Sequence, residues 1–305
     1  MMKEEIRKRA IELGFDACGF AAADPLDDRK DFYDGFLREQ RQANMGYLER
    51  YAEQRLNPGL LLEGVKTVIA VLVNYYPPSQ HTEEDNFIIS KYAYGKRYPP
   101  FIKAKMEPLA AFIDSLNPEG IKSKIFVDSG PVLEKAWSHL CGIGWQGKNT
   151  LLINPRMGSY FFLGIIMTTL ELEPDKPEKD HCGNCMKCMD ACPTGALDRP
   201  YELDISRCIS YCTIVKNAEM TEAVRSNLGG RIYGCDTCQD VCPFNRFARP
   251  TRESHFHPSA ELMAMRRNDW LNLTEQKFNE LFAGGSIAEK GYERLMRNIH
   301  FASEK

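Results

Sequence analysis

No apolar stretch in the 305-residue sequence is long enough to cross a bilayer. The longest such run, Tyr160 to Leu170, is short and is interrupted by Gly164 and two threonines. The charged start Met1–Lys8 has no apolar segment behind it, which predicts no export signal. An excess of one charge is also missing. The formal net charge is −3, which excludes a generally basic nucleic-acid binder and leaves room only for a local basic surface. There is no low-complexity segment, and no internal repeat beyond a doubled cysteine motif. With 43% hydrophobic and 27% charged residues, the composition is that of a soluble globular chain long enough for two domains.

Cysteine is plentiful. Eleven thiols, an odd number clustered at short gaps, fit poorly with a secreted disulfide framework and well with metal ligation. Thiols of this kind persist in a reducing compartment, so a cytoplasmic location is expected. His181 to Pro193 contains C-x2-C-x2-C-x3-C-P, the bacterial-type iron–sulfur spacing, through Cys182, Cys185, Cys188 and Cys192. An incomplete copy follows at Cys235, Cys238, Cys242 and Pro243. In two-cluster ferredoxins the fourth cysteine of each motif serves the other cluster. Cys242 is therefore expected to join Cys182, Cys185 and Cys188, and Cys192 to join Cys235 and Cys238. The second set then lacks one ligand, because Ile232 occupies the first position of the second motif. Cys208 and Cys212 are the candidates. Bare Cys-x2-Cys pairs also bind structural zinc; the longer spacing ending in Cys-Pro favours iron–sulfur. Cys18 and Cys141 lie in apolar surroundings and read as small buried hydrophobes.

Along the chain, residues 2–13 read as a helix ending at Gly14, 15–22 as a strand, 29–51 as a charged helix and 65–76 as a buried strand closed by Pro77-Pro78. The aromatic and basic stretch 90–99 precedes a helix over 101–116. A short strand over 124–128 leads to a helix opened by Pro131, and strands over 151–154 and 160–172 follow. This alternation predicts an α/β domain over residues 1–173. Residues 173–180 form a proline- and charge-rich linker. A cysteine domain over 174–250 follows, and then a helical segment over 251–305.

Gly142 to Gly147 matches G-x-G-x-x-G, but it follows a helix and leads into a strand, the reverse of a dinucleotide site. Read as a phosphate loop ending at Lys148, it has Asn149 where a magnesium-binding Ser or Thr belongs. Asp128, at the end of a strand, is a candidate general acid. Asp-Ser-Gly-Pro is also a good turn, and spacing alone favours a helix cap there. His139 reads as a packing or surface residue, and His181 as a hydrogen-bonding neighbour of the cluster. Lys216, Arg225, Arg231, Arg246 and Arg249 make a modest basic patch, which phosphate contact and a solvated face explain equally well.

Several segments together resemble the epoxyqueuosine reductase family, which makes the tRNA nucleoside queuosine. They are VDSGPVLE at 127–134, GIGWQGKNTLL at 142–152, HCG at 181–183, ACPTGA at 191–196, RCISY at 207–211 and CDTCQDVCP at 235–243. The resemblance runs nearly end to end. It implies an oxidoreductase with two 4Fe-4S clusters and cobalamin. The expected fold is an α/β cobalamin-binding domain, nitroreductase-like or reductive-dehalogenase-like, followed by a ferredoxin-like two-cluster domain and a short helical C-terminus without the helical-repeat tail of many relatives.

The Asp-x-His-x-x-Gly cobalamin signature is absent, as expected for a family that binds the corrin base-off without a protein histidine. By the same resemblance Asp128 is the proton donor and Cys208 the fourth ligand of the second cluster, although Cys212 stands where an apolar residue is usual. Lys91, Tyr94, Arg97, Asp128, Ser129, Leu133, Gly147 and Leu152 are expected around the corrin, with Ser210 and Lys216 near the tRNA. Implied partners are tRNA carrying epoxyqueuosine and a ferredoxin- or flavodoxin-type donor, with no membrane and a monomeric state. The alternatives are a cobalamin-dependent reductive dehalogenase, which usually carries an export signal, and a plain two-cluster electron-transfer protein.

Overall fold

The computed structural model describes residues 2–80, 86–116 and 120–304. Its centre is a four-stranded sheet in the order β1 (Ala17–Ala22), β2 (Thr67–Asn74), β7 (Phe161–Thr168), β4 (Ser123–Phe126). Between them in the chain come β3 (Ile88–Ile89), β5 (Trp145–Gln146) and β6 (Leu152–Ile153). All three pairings of the central sheet are antiparallel. The alternation of strands and helices expected over residues 1–173 is present, and it builds a sheet whose strands run antiparallel. Antiparallel neighbours can be joined by any connection, so alternation alone does not fix strand direction.

β2 is an unbroken apolar run because both of its faces are covered. Ile69, Val71 and Val73 enter one core with α1 (Met2–Glu12) and α5 (Tyr98–Ser115). Val68, Ala70 and Leu72 enter another with α6 (Glu134–Leu140). Two glycines permit this close layering. A Cβ on Gly164 would stand 2.4 Å from Met106 Sδ, and one on Gly19 would stand 2.0 Å from the Cys141 carbonyl oxygen. Cys18 and Cys141 are buried in these two cores, as their setting predicts.

Two expected helices differ. The charged stretch 29–51 divides into α2 (Asp27–Arg38) and α3 (Tyr47–Arg50), with α4 (Ala52–Leu56) following. The break falls where Gln40 and Ala43 take positive φ. The helix expected from Pro131 begins at Glu134, because residues 128–133 form an extended turn above the sheet edge.

Each motif of the cysteine region contains one short helix, Lys187–Asp190 in the first and Thr237–Asp240 in the second. β8 (Arg231–Tyr233) pairs parallel with β3. Phe87, Ile89 and Tyr94 share a third core with Ile209, Ile232, Trp270, Leu295 and Ile299. The C-terminal helix Tyr292–Ser303 fastens this core through buried Asn298, whose amide donates to the carbonyls of Thr213 (2.9 Å) and Ile232 (2.8 Å). Each such bond contributes roughly 1 kcal/mol net. No described helix is long and apolar enough to cross a membrane.

Candidate active site

Two adjoining cavities of about 1130 and 520 Å³ lie between the central sheet and the cysteine region. They share Tyr98, Lys135, Thr150, Phe161 and Phe162 as walls. The larger opens past Phe32, Tyr47 and Tyr51 of α2 to α3 and the adjoining turn, and is floored by the turn Asp128–Leu133. The smaller reaches Cys192, Cys208, Cys235 and Cys238. Apolar walls with a few convergent polar groups are the usual make-up of a cofactor or substrate site.

Asp128 projects into the larger cavity from a backbone of φ +49°, the left-handed region that non-glycine residues seldom occupy. Holding a residue there costs about 1–3 kcal/mol, so the surroundings must impose it. Two contacts do so. The Asp128 N–H donates to Glu134 Oε1 at 2.7 Å, and the Tyr98 hydroxyl hydrogen-bonds with the Asp128 side chain. Tyr98 is itself fixed by stacking on Phe162, with ring centroids 3.9 Å apart and planes at 6°. The helix-cap reading of Asp128 is corrected: α6 starts after Leu133 and receives no side-chain cap. Burial, opposed by the Asp128 N–H bond and joined by repulsion from Asp128, raises the Glu134 carboxyl to about 8. Burial and then the Asp128 carboxylate push the Tyr98 phenol far up. Burial lowers the Lys135 ammonium, whose Nζ donates to the Thr150 carbonyl at 2.9 Å.

The cysteines fall into two mutually sensing groups. After burial, the Cys242 thiol is raised by Cys182 and Cys185, and Cys188 by Cys182 and Cys242. After burial, Cys208 is raised to about 11 with contributions from Cys235 and Cys192, and Cys238 well upward by Cys208 and Cys235. The association of Cys242 with the first motif and of Cys192 with Cys208 runs in the crossover sense of a two-cluster ferredoxin, and Cys238 also senses Cys188 across the two sets. All eight are free thiols, and such donors suit iron–sulfur clusters. Cys212 senses Cys208 alone among the thiols, and the single proton of its Sγ is shared between the carbonyls of Ser206 (3.4 Å) and Glu219 (3.6 Å).

The 142–149 stretch, rejected as a nucleotide motif, is a clasp on both groups. Trp145 Nε1–H donates to Cys182 Sγ at 3.5 Å, Lys148 Nζ to the Gly183 carbonyl at 2.6 Å, and Asn149 Nδ2 to the Cys238 carbonyl at 3.2 Å. Gly147 lets the turn pass close to Ile153, since a Cβ would lie 2.4 Å from Ile153 Cδ1 and that side chain would have to shift. The signal in the sequence was a rigid glycine-rich turn carrying Trp, Lys and Asn; what it holds is visible only in three dimensions.

Of the residues expected around a corrin, Asp128, Ser129 and Leu133 line the larger cavity and Leu152 the smaller. Lys91, Tyr94, Arg97 and Gly147 line neither. Lys91 Nζ instead pairs with Asp240 (2.7 Å) and Asp236 (3.7 Å), tying the 90–99 stretch to the second cysteine motif. Tyr94 is buried in the third core, and Arg97 pairs with Glu289 at 2.8 Å. Ser210 lines the smaller cavity, while Lys216 is exposed away from both. Two members of the basic patch are paired within the chain: Arg225 with Glu304, and Arg231, which donates to Thr237. His181 bonds Glu178 at 3.0 Å and packs edge-on to Trp145. Tyr98, Glu134 and Lys135 were not singled out from the sequence.

Residues 181–245 match the family model of a 4Fe-4S double cluster binding domain, and residues 55–129 the model described as epoxyqueuosine reductase QueG. The epoxyqueuosine reductase of Leadbetterella byssophila is 41% identical, covering 99% of this chain and 98% of that protein. That of Escherichia coli K12 is 35% identical, covering 99% and 80%. A crystal structure of epoxyqueuosine reductase with an epoxyqueuosine-modified tRNA-Tyr stem loop superposes with a TM-score of 0.88 at 33% identity, covering 99% of this chain and 80% of that one. The Bacillus subtilis enzyme, with its catalytic aspartate loop swung out of the active site, superposes at 0.85 with 33% identity over the same shares. Identity of this order along almost the whole length, with the cysteine groups and the Asp128 cavity in place, makes the chain a member of the epoxyqueuosine reductase family.

Proposed function

We propose that this chain reduces epoxyqueuosine in tRNA to queuosine, with the reaction taking place in the cavity between Asp128 and the second cysteine group. The observation that carries this reading is the placement of Asp128 on the larger and of Cys192, Cys208, Cys235 and Cys238 on the smaller of two adjoining cavities that share Tyr98, Lys135, Thr150, Phe161 and Phe162 as walls. Two electrons and two protons convert the epoxide to the cyclopentene and release its oxygen as water. When bound, the 4Fe-4S clusters supply single electrons, and cobalamin supplies a strongly reducing cobalt centre that the polypeptide lacks.

The residues present suit these groups. Two sets of four thiols stand ready, with Cys182, Cys185, Cys188 and Cys242 in one and Cys192, Cys208, Cys235 and Cys238 in the other. Cys185 is exposed, so the first set faces a docking carrier of the ferredoxin or flavodoxin type, while the second faces the cavity. The cavity walls, among them Ser129, Leu133 and Leu152, would hold the corrin, and no histidine is among the described lining residues. Asp128 supplies the proton to the departing oxygen, held at that point by Glu134 and Tyr98. Trp145, donating to a ligating sulfur, tunes the first cluster. Ser210, on the cavity wall, approaches the nucleoside, and exposed Lys216 meets the tRNA outside it.

The same reading divides the labour among residues 1–173, which form the reaction chamber, 174–250, which carry the clusters, and 251–305, which brace them. It places a monomer in the cytoplasm, where tRNA is modified. Expression in bacteria deleted for their own epoxyqueuosine reductase tests the function. Queuosine is expected in digested tRNA by mass spectrometry. Epoxyqueuosine remaining unchanged, despite soluble protein with iron bound, would refute the assignment.

A further inference from the structure

The turn that carries Asp128 is short and exposed at Asp128, Ser129 and Gly130, although Val132 beyond them is buried in the core with α6, and its aspartate occupies a left-handed backbone conformation. Something outside the turn has to fix it. We propose that Glu134 is a positioning residue that latches the Asp128 turn over the cavity, by accepting the Asp128 N–H at its carboxyl oxygen. The proposal deepens the reading of Asp128 as proton donor and rests on it for its consequence in catalysis, though not for the latch itself.

The geometry is specific. Glu134 is the first residue of α6, so its backbone is anchored by the helix, whose Ala136 and Trp137 are buried under the sheet. Its side chain reaches back six positions to the Asp128 N–H at 2.7 Å. The bond leaves the Asp128 carboxyl free to point into the cavity and to meet the Tyr98 hydroxyl. Tyr98 comes from a different element, α5, and holds the side chain, whereas Glu134 holds the backbone. The two contacts thus fix the aspartate at two separate points.

The charged and titratable neighbours of Glu134 are Asp128, Lys135 and Tyr98. A carboxyl raised to about 8 by burial is largely protonated at neutral pH, and in that form it still accepts through one oxygen. An amide in its place would do the same. In the Bacillus subtilis relative the catalytic aspartate loop has been observed swung out of the active site, so a turn of this kind has a second position available. A latch that consists of one hydrogen bond and one hydroxyl contact is what a two-position turn requires.

The test is hydrogen–deuterium exchange of the peptide spanning 127–133 in protein reconstituted with clusters and cobalamin. It compares wild type with Glu134→Gln, which keeps the accepting oxygen, Glu134→Asp, which withdraws it by one methylene, and Glu134→Leu, which removes it. Exchange of this peptide is expected to rise at least about tenfold in the Asp and Leu variants and to stay near wild type in the Gln variant, as the loss of the side-chain hydrogen bond on the Asp128 N–H implies. The Asp variant keeps the test decisive if the Leu variant fails to load its clusters. Turnover should follow the same order, with kcat falling and KM for the tRNA stem loop little changed. Equal exchange in all variants, or exchange raised as much in Gln as in Asp, overturns the latch. Because exchange is read without substrate, that result would stand apart from any failure of the epoxyqueuosine assignment.

Discussion

Asp128→Asn is expected to lower turnover on epoxyqueuosine-modified tRNA by about 10²–10⁴-fold, the usual contribution of a positioned general acid. The substitution isolates the proton. Asparagine has nearly the same shape and tolerates the left-handed backbone as well as aspartate does. It can still hydrogen-bond the Tyr98 hydroxyl, and its backbone N–H still reaches Glu134. Iron content, cobalamin binding and affinity for the tRNA stem loop should therefore match wild type, measured by iron assay, visible spectroscopy and gel shift. A variant with unimpaired turnover would make Asp128 a turn residue and transfer the proton donor's role to another cavity group.

Replacing Cys208 by serine is expected to halve the iron bound, from about eight atoms per chain to about four, because it removes one thiol from the second set only. The same replacement at Cys212 should leave iron content unchanged. The two cysteines lie four residues apart on one short helical stretch, and the sequence alone left the choice between them open. In the structure Cys208 is among the thiols that sense Cys235 and Cys192, whereas Cys212 Sγ is spent on two backbone carbonyls. A serine at 212 retains a donor for Ser206 and Glu219, and its cost in stability is about 1 kcal/mol. Full iron in the Cys208 variant with half in the Cys212 variant would reverse the assignment. The Cys208 variant should also be inactive with any external reductant that enters through the first cluster, since the set facing the cavity would be lost.

Much of this was legible in the chain. The ligand spacing at 182–192 and 235–242 is a local pattern, and the two thiol groups follow from it. β2 was readable because the seven successive apolar or β-branched positions Thr67 to Val73 need no partner to declare a buried strand. Strand direction was not, since pairing is decided by contacts far apart in sequence, such as Val71 opposite Gly164. The helix start at Glu134 was missed because Pro131 satisfies the local rule for opening a helix while the cavity demands an extended turn.

Site residues divide in the same way. Asp128 lies on a short motif and was found, although spacing favoured a capping role that the structure removes. Tyr98, Glu134 and Lys135 serve the site through position in space, with no motif of their own. The expectation that Lys91, Tyr94 and Arg97 would lie around the cofactor came from the resemblance and not from any pattern in the stretch itself, which is only aromatic and basic. Long side chains of that kind are equally suited to pairing with Asp236, Asp240 and Glu289, and that is where two of them went.

The most direct test of the account is anaerobic turnover by the purified chain, fully loaded with iron and sulfide, on a tRNA stem loop carrying epoxyqueuosine, in the presence of a strong one-electron reductant and with or without cobalamin. Nucleosides are read by mass spectrometry. Queuosine formed only when both clusters and cobalamin are present is the predicted result. Equal conversion without cobalamin, or none with every cofactor bound, would contradict it.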